Sequence, residues 1–165
     1  MTGSRETPNR ASSRSAARLA AVQALYQMDM TGIDLTDVVA EFEAHRLGQE
    51  VEGDQYFAAE AAFFRDLVEG VVREQRQLDP LIDQQLAQGW RLNRVDSILR
   101  AVLRSGAFEL STRKDVPARV VITEYVDIAH AFFGEDEPKV VNGILDRLAR
   151  TARPDEFTRP GHANG

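Results

Sequence analysis

The spacing of apolar residues is the feature that most narrows what this chain can fold into. Val95, Ile98, Leu99, Val102 and Leu103 recur at helical intervals, and Leu35, Val38, Val39 and Phe42 repeat the pattern. Ala59, Phe63, Leu67 and Val71 make a third stripe, Val121, Tyr125, Ile128 and Ala129 a fourth, and Val141, Ile144, Leu145 and Leu148 a fifth. The β-branched run Val120, Val121, Ile122 and Thr123 is the one place where a strand competes. Pro117 and the 3.6-residue period around it favour helix there too. The expectation is an all-α chain.

Start and stop signals divide these stripes into about seven helices. The first runs from near Ser13 to Met30 and stops at Thr31–Gly32. Asp34 caps the second. A polar, acidic loop from Gly48 to Asp54 leads into a long third helix, Gln55 to Gln75. Asp79–Pro80 reads as a cap followed by proline at the first helical position, opening a short fourth helix that Gly89 ends. Asn93, with Asp96 three residues on, caps a fifth. Val116–Pro117 opens a sixth and Pro138 a seventh. Gly143, inside the seventh, costs about 1 kcal/mol of propensity and implies close helix packing. The expected organisation is a disordered basic arm over residues 1–13, a helical domain over 14–150 and a flexible tail over 151–165.

The chain has no cysteine, which excludes disulfides, thiolate nucleophiles, Fe–S clusters and sulfur-ligated zinc. His45, His130 and His162 are far apart and lack ligand spacing, so no metal site is expected. No serine sits in a nucleophile elbow, and the glycines form neither a Walker loop nor a dinucleotide fingerprint. Acidic pairs such as Asp136–Glu137 fall in turns, where carboxylates cap helices. Neither an enzyme nor a cofactor is expected. No run of about 18 apolar residues could span a bilayer. The chain also lacks a secretory signal, which sets a cytoplasmic, non-membrane protein as the expectation.

Charge gives the first hint of function. Residues 1–20 carry Arg5, Arg10, Arg14 and Arg18 against Glu6, a net of +3, on a chain whose total is −6. A basic arm ahead of an acidic body points to an anionic partner for one and a basic partner for the other. Arg10, Arg14 and Arg18 recur every four residues, a ladder rising about 6 Å per step if helical. Like charges at that spacing disfavour a helix by roughly 0.2–0.5 kcal/mol per pair unless an anion offsets them. The ladder fits phosphate binding or a solvated arm. A second basic set, Arg91, Arg94, Arg100 and Arg104, surrounds the fifth helix, with Arg100 and Arg104 directed away from its apolar stripe. Asp96, four residues before Arg100, is also placed to pair with it.

Several blocks resemble the NusB family of bacterial transcription antitermination factors. Ala21–Val22–Gln23–Ala24–Leu25–Tyr26 behind the arginine-bearing arm is similar to the family's opening. Phe63–Phe64–Arg65–Asp66–Leu67 follows, then Arg94–Val95–Asp96–Ser97–Ile98–Leu99–Arg100 through Phe108–Glu109–Leu110, and Val116–Pro117 through Glu124. The last block runs from Phe133–Gly134–Glu135–Asp136 through Lys139–Val140–Val141–Asn142–Gly143–Ile144–Leu145–Asp146. Its Val-Asn-Gly-Ile-Leu-Asp segment is the most specific.

The resemblance implies two packed helical subdomains and no chemistry. It implies binding to the boxA element of ribosomal RNA transcripts together with NusE, a small-subunit ribosomal protein, within an antitermination complex on RNA polymerase. By the same resemblance Arg10, Arg14, Arg18, Tyr26, Arg94 and Arg100 would contact RNA, and Asp96, Glu109 and Asp136 would face the basic partner. Three departures stand out. The arm is longer with spaced arginines, Val140 replaces the usual aromatic, and Pro138 stands where a polar residue is common. The alternative is a helical interaction or homodimer module whose arm binds nothing specific. An RNA-binding domain appended to a methyltransferase is the remaining alternative, for which the chain has no room.

Overall fold

The computed structural model describes residues 10–44, 54–87 and 91–158, with side chains from Ser13 in the first segment and from Glu60 in the second. His45, Gly89, His162 and nearly all of the expected acidic loop lie outside them. Among the described residues there are six α-helices and no strand: α1 (Arg10–Thr31), α2 (Leu35–Phe42), α3 (Asp54–Asp83), α4 (Ser97–Thr112), α5 (Ala118–Phe132) and α6 (Asp136–Ala152). Short 3-10 turns cover Leu92–Arg94 and Pro154–Glu156. The all-α expectation holds, including at Val120–Thr123, which lies within α5. The chain forms two compact helical units, one up to Gly70 and one from Val71, with α3 running through the boundary.

In the first unit, α1 buries Ala17, Ala21, Val22 and Ala24. Small side chains let its backbone approach its neighbours closely. At its end Gly32 adopts φ +76°, a conformation in which glycine carries no Cβ strain, and its amide donates to the Met28 carbonyl at 3.0 Å. Asp34 caps α2 as expected, accepting from the Asp37 amide at 3.0 Å. Phe42 of α2 stacks on Phe64 of α3 with centroids 5.6 Å apart.

The expected third and fourth helices are one. Pro80 sits inside α3, and the helix ends at Asp83 instead of near Gln88. Interior proline costs about 3 kcal/mol. Leu78 and Ile82, which flank Pro80 and are both buried, continue the Val71 stripe. Burying two such side chains contributes about 1.5–3 kcal/mol each, so packing outweighs the break. Asp79 is therefore an ion-pair partner and not a cap: its two oxygens accept from Arg104 Nε and Nη2 at 2.9 and 2.8 Å.

The second unit packs α4, α5 and α6 mutually around Val102, Leu103, Phe108, Val121, Ile144 and Leu145. The cap of α4 is Asp96, not Asn93. Its carboxylate accepts from the Ile98 and Leu99 amides at 2.7 and 3.3 Å, and Asn93 lies in the preceding 3-10 turn. Close helix packing comes from Gly106, where an added Cβ would lie 2.7 Å from Leu145 Cδ1. Gly143 does not provide it, since a Cβ there would meet only the Arg147 guanidinium at 3.4 Å.

Residues expected to fray are held in place as far as Thr158. α1 already begins at Arg10, inside the expected arm, and α6 continues to Ala152. Beyond it, Arg153 is buried and its guanidinium donates to the carbonyls of Leu110, Glu109 and Arg113 at 3.0, 2.9 and 2.8 Å, and to that of Val116. It thus covers the carbonyl end of α4, where a cation also complements the helix dipole. α5 begins after Pro117, whose apolar ring offers no acceptor to cap it. Glu156 does so from 38 residues away, accepting the Ala118 amide at 2.8 Å while its other oxygen pairs with Arg153. The Ala118 amide, more than the Arg153 guanidinium, holds the Glu156 carboxyl below the usual carboxylate range.

Candidate nucleic-acid interface

α1 carries the arginine ladder. Arg10 opens the helix, and its side chain lies outside the described residues. Arg14 and Arg18 point to one ring. Their guanidinium carbons lie 4.6 and 5.0 Å from the Phe63 centroid. Each such contact is worth about 0.5–1 kcal/mol when exposed and about 2 when desolvated, which offsets the like-charge cost of the i, i+4 pair. The two arginines differ in access. Arg14 is half-buried, whereas Arg18 is only 2% exposed. Arg18 is therefore not a surface phosphate contact but an internal cation holding α1 on α3. One turn before Phe63, burial raises the Glu60 carboxyl above its usual range.

Tyr26 lies further along α1, 37% exposed, with Met30 one turn on at 58%. It is a surface aromatic and not a core one. Beside it, Gln27 donates to Glu41 of α2 at 3.0 Å.

The second basic set separates into two kinds. Arg91 and Arg94 are exposed around the 3-10 turn. Arg100, expected to contact RNA, instead folds back over that turn, donating to the Leu92 and Val95 carbonyls at 3.2 and 3.1 Å and to Ser97 Oγ at 3.1 Å. Arg104 is held by Asp79. Both guanidiniums thus brace the second unit. The helical wheel directed them away from the stripe correctly, but the 3-10 turn and the end of α3 occupy that side.

The three acidic positions also differ. Asp96 is exposed and serves as the cap of α4. Asp136 is exposed in the first turn of α6. Glu109 is fully buried, and its carboxylate accepts the Tyr125 hydroxyl at 2.6 Å. It belongs to the α4–α5 packing and does not face a partner. An apolar groove of about 380 Å³ between Leu86 and Ala87 on one side and Val140, Gly143 and Ile144 of α6 on the other is walled by Arg147, which donates to Gln85 Oε1 at 2.9 Å. Gly143 opens this groove. Among the described residues no group of metal-ligating side chains comes together, and no helix is long and apolar enough to cross a membrane.

Sequence reasoning missed two residues, Phe63 as the ring under both arginines and Arg153 as the internal clamp. Phe63 stands in the sequence as a core stripe position and the head of a family-like block, neither of which marks it as a seat for arginines. Little in the local sequence marks Arg153 as a clamp, because the carbonyls it serves lie 37 to 44 residues earlier.

Fold and site together define an all-α protein of two helical units that presents a basic first helix. The sequence profile of the NusB family matches residues 15–150. A transcription antitermination protein NusB of Rhodopseudomonas palustris (strain HaA2) is 65% identical over 150 residues, covering 91% of this chain and 89% of that one. That of Bradyrhizobium diazoefficiens is 61% identical over 153 residues, covering 93% of each. Among solved structures, T. maritima NusB superposes with a TM-score of 0.74 at 32% identity, covering 87% of this chain and 96% of that one. Antitermination factor NusB, solved with NusE and dsRNA, shares the fold at a TM-score of 0.70 and 24% identity, covering 84% of this chain and 97% of that one. The chain belongs to the NusB family of transcription antitermination proteins.

Proposed function

We propose that this chain is an RNA-binding antitermination factor that binds boxA of ribosomal RNA transcripts together with NusE and acts in the cytoplasm within the antitermination complex on RNA polymerase. It works by binding and not by catalysis. The observation that carries the reading is the half-buried Arg14 on a basic α1, at the head of an otherwise acidic chain. Family membership and the names of the relatives support it. Within this reading Arg10, Arg14, Tyr26 and Arg94 form the RNA-contacting set. Asp96 and Asp136, both exposed carboxylates, are the positions open to a basic partner protein.

The test is fluorescence anisotropy of a labelled boxA-like RNA and a scrambled control at fixed salt, each with and without NusE. Selective binding that NusE strengthens is the expected result. Equal binding of both RNAs would reduce the interface to a generic basic helix. A homodimer by light scattering, with no RNA bound under any condition, would replace the reading with a helical interaction module.

A further inference from the structure

Arg14 and Arg18 are one turn apart on α1, and both guanidiniums lie over the ring of Phe63. We propose that Phe63 is a positioning residue for the nucleic-acid contact: its ring seats Arg18 as a buried anchor and holds Arg14 at the surface in a phosphate-ready conformation. This rests on the RNA-binding reading above.

Phe63 is 4% exposed and Arg18 2%, so neither can itself reach a ligand. Arg14, half-buried, is the outer member of the trio. A guanidinium lying over an aromatic face uses the ring's negative quadrupole, while its N–H groups project from the edge of its own plane. Stacking on the ring therefore uses none of those N–H donors. An arginine on an unstructured arm must lose its rotamer freedom on binding, whereas a seated one has lost it already, and pre-ordering of that kind strengthens association. The seat also gives the four-residue spacing a physical meaning, because residues one helical turn apart share a face and can reach one ring. A leucine at position 63 would fill the same core space but offer no quadrupole.

The experiment measures anisotropy of labelled single-stranded boxA-like RNA with the full chain and NusE. It compares wild type, Phe63→Leu, Phe63→Tyr, Arg14→Ala and the Phe63→Leu/Arg14→Ala double variant, with folding checked by circular dichroism. Phe63→Leu is expected to weaken binding about 3- to 10-fold, and Phe63→Tyr to stay within about twofold of wild type. The double variant should bind no more weakly than Arg14→Ala alone, because the ring acts through that arginine. Phe63→Met, also apolar and without a ring, replaces Phe63→Leu if the latter does not fold. Wild-type affinity in the folded Leu or Met variant, or losses that simply add in the double variant, would overturn the seat while leaving RNA binding intact. A wild-type chain that binds no RNA would overturn both.

Discussion

Replacing Arg153 with methionine removes a buried guanidinium that serves four carbonyls in the second unit. The guanidinium is 4% exposed and serves the carbonyls of Glu109, Leu110, Arg113 and Val116, three of them at 2.8–3.0 Å. Methionine fills much of the same space, so the loss is chiefly of hydrogen bonds. A buried acceptor left without a donor costs about 1–3 kcal/mol. The Glu109 and Arg113 carbonyls also accept from the Arg113 and Val116 amides, so the loss falls chiefly on those of Leu110 and Val116. Taking about 1–3 kcal/mol for each of the Leu110 and Val116 carbonyls gives a destabilisation of roughly 2–6 kcal/mol, a large part of the roughly 5–15 kcal/mol that holds a typical domain together. Arg153→Lys should lose less, because an ammonium retains the charge at the end of α4 but reaches fewer acceptors. Urea unfolding followed by circular dichroism at 222 nm reads both variants against wild type. A methionine variant within about 0.5 kcal/mol of wild type would refute the assignment of Arg153 as the clamp of α4.

Two further variants probe the same architecture. Glu156→Gln should destabilise by about 1 kcal/mol or less at neutral pH, since the Glu156 side chain is exposed and glutamine keeps an oxygen able to accept the Ala118 amide. The Glu156 carboxyl is held below its usual range, so its contribution is present above the unfolded carboxylate pKa and lost as pH falls through the folded value. The gap between wild type and Glu156→Gln in thermal melts should therefore close on acidification, and a gap that widens would reverse the sign. Gly106→Val places atoms where Leu145 Cδ1 already lies 2.7 Å from an ideal Cβ, and should cost about 1–3 kcal/mol of stability. An unchanged melting temperature would show that α4 and α6 have room to spare.

Most of the helices could be read from the chain because each carries an apolar stripe at its own period, and Asp34 and Gly32 act within a few residues of themselves. What misled was punctuation that depends on tertiary context. Pro80 looks like a helix start until Leu78 and Ile82 are seen to be buried on either side of it. Asp96 and Asn93 are equally good caps locally, and the 3-10 turn decides between them. For the proposed interface, composition and resemblance point to α1 but not to which of its arginines remain at the surface. Arg18 and Arg100 look like Arg14 and Arg94 in sequence, yet Arg18 is buried over Phe63 and the Leu92 and Val95 carbonyls hold Arg100. The resemblance turns Glu109 toward the basic partner, and nothing local reveals the Tyr125 hydroxyl 16 residues on.

The most direct test of the interface is the salt dependence of RNA affinity for wild type, Arg14→Ala and Arg18→Ala. Each phosphate contact to a single strand contributes about 0.7 to the slope of log K against log salt. Arg14→Ala should lower the slope by about that amount, and Arg18→Ala should weaken binding or stability while leaving the slope unchanged. A wild-type slope in Arg14→Ala, or a reduced one in Arg18→Ala alone, would contradict the division between a surface arginine that meets phosphate and a buried one that holds the helix.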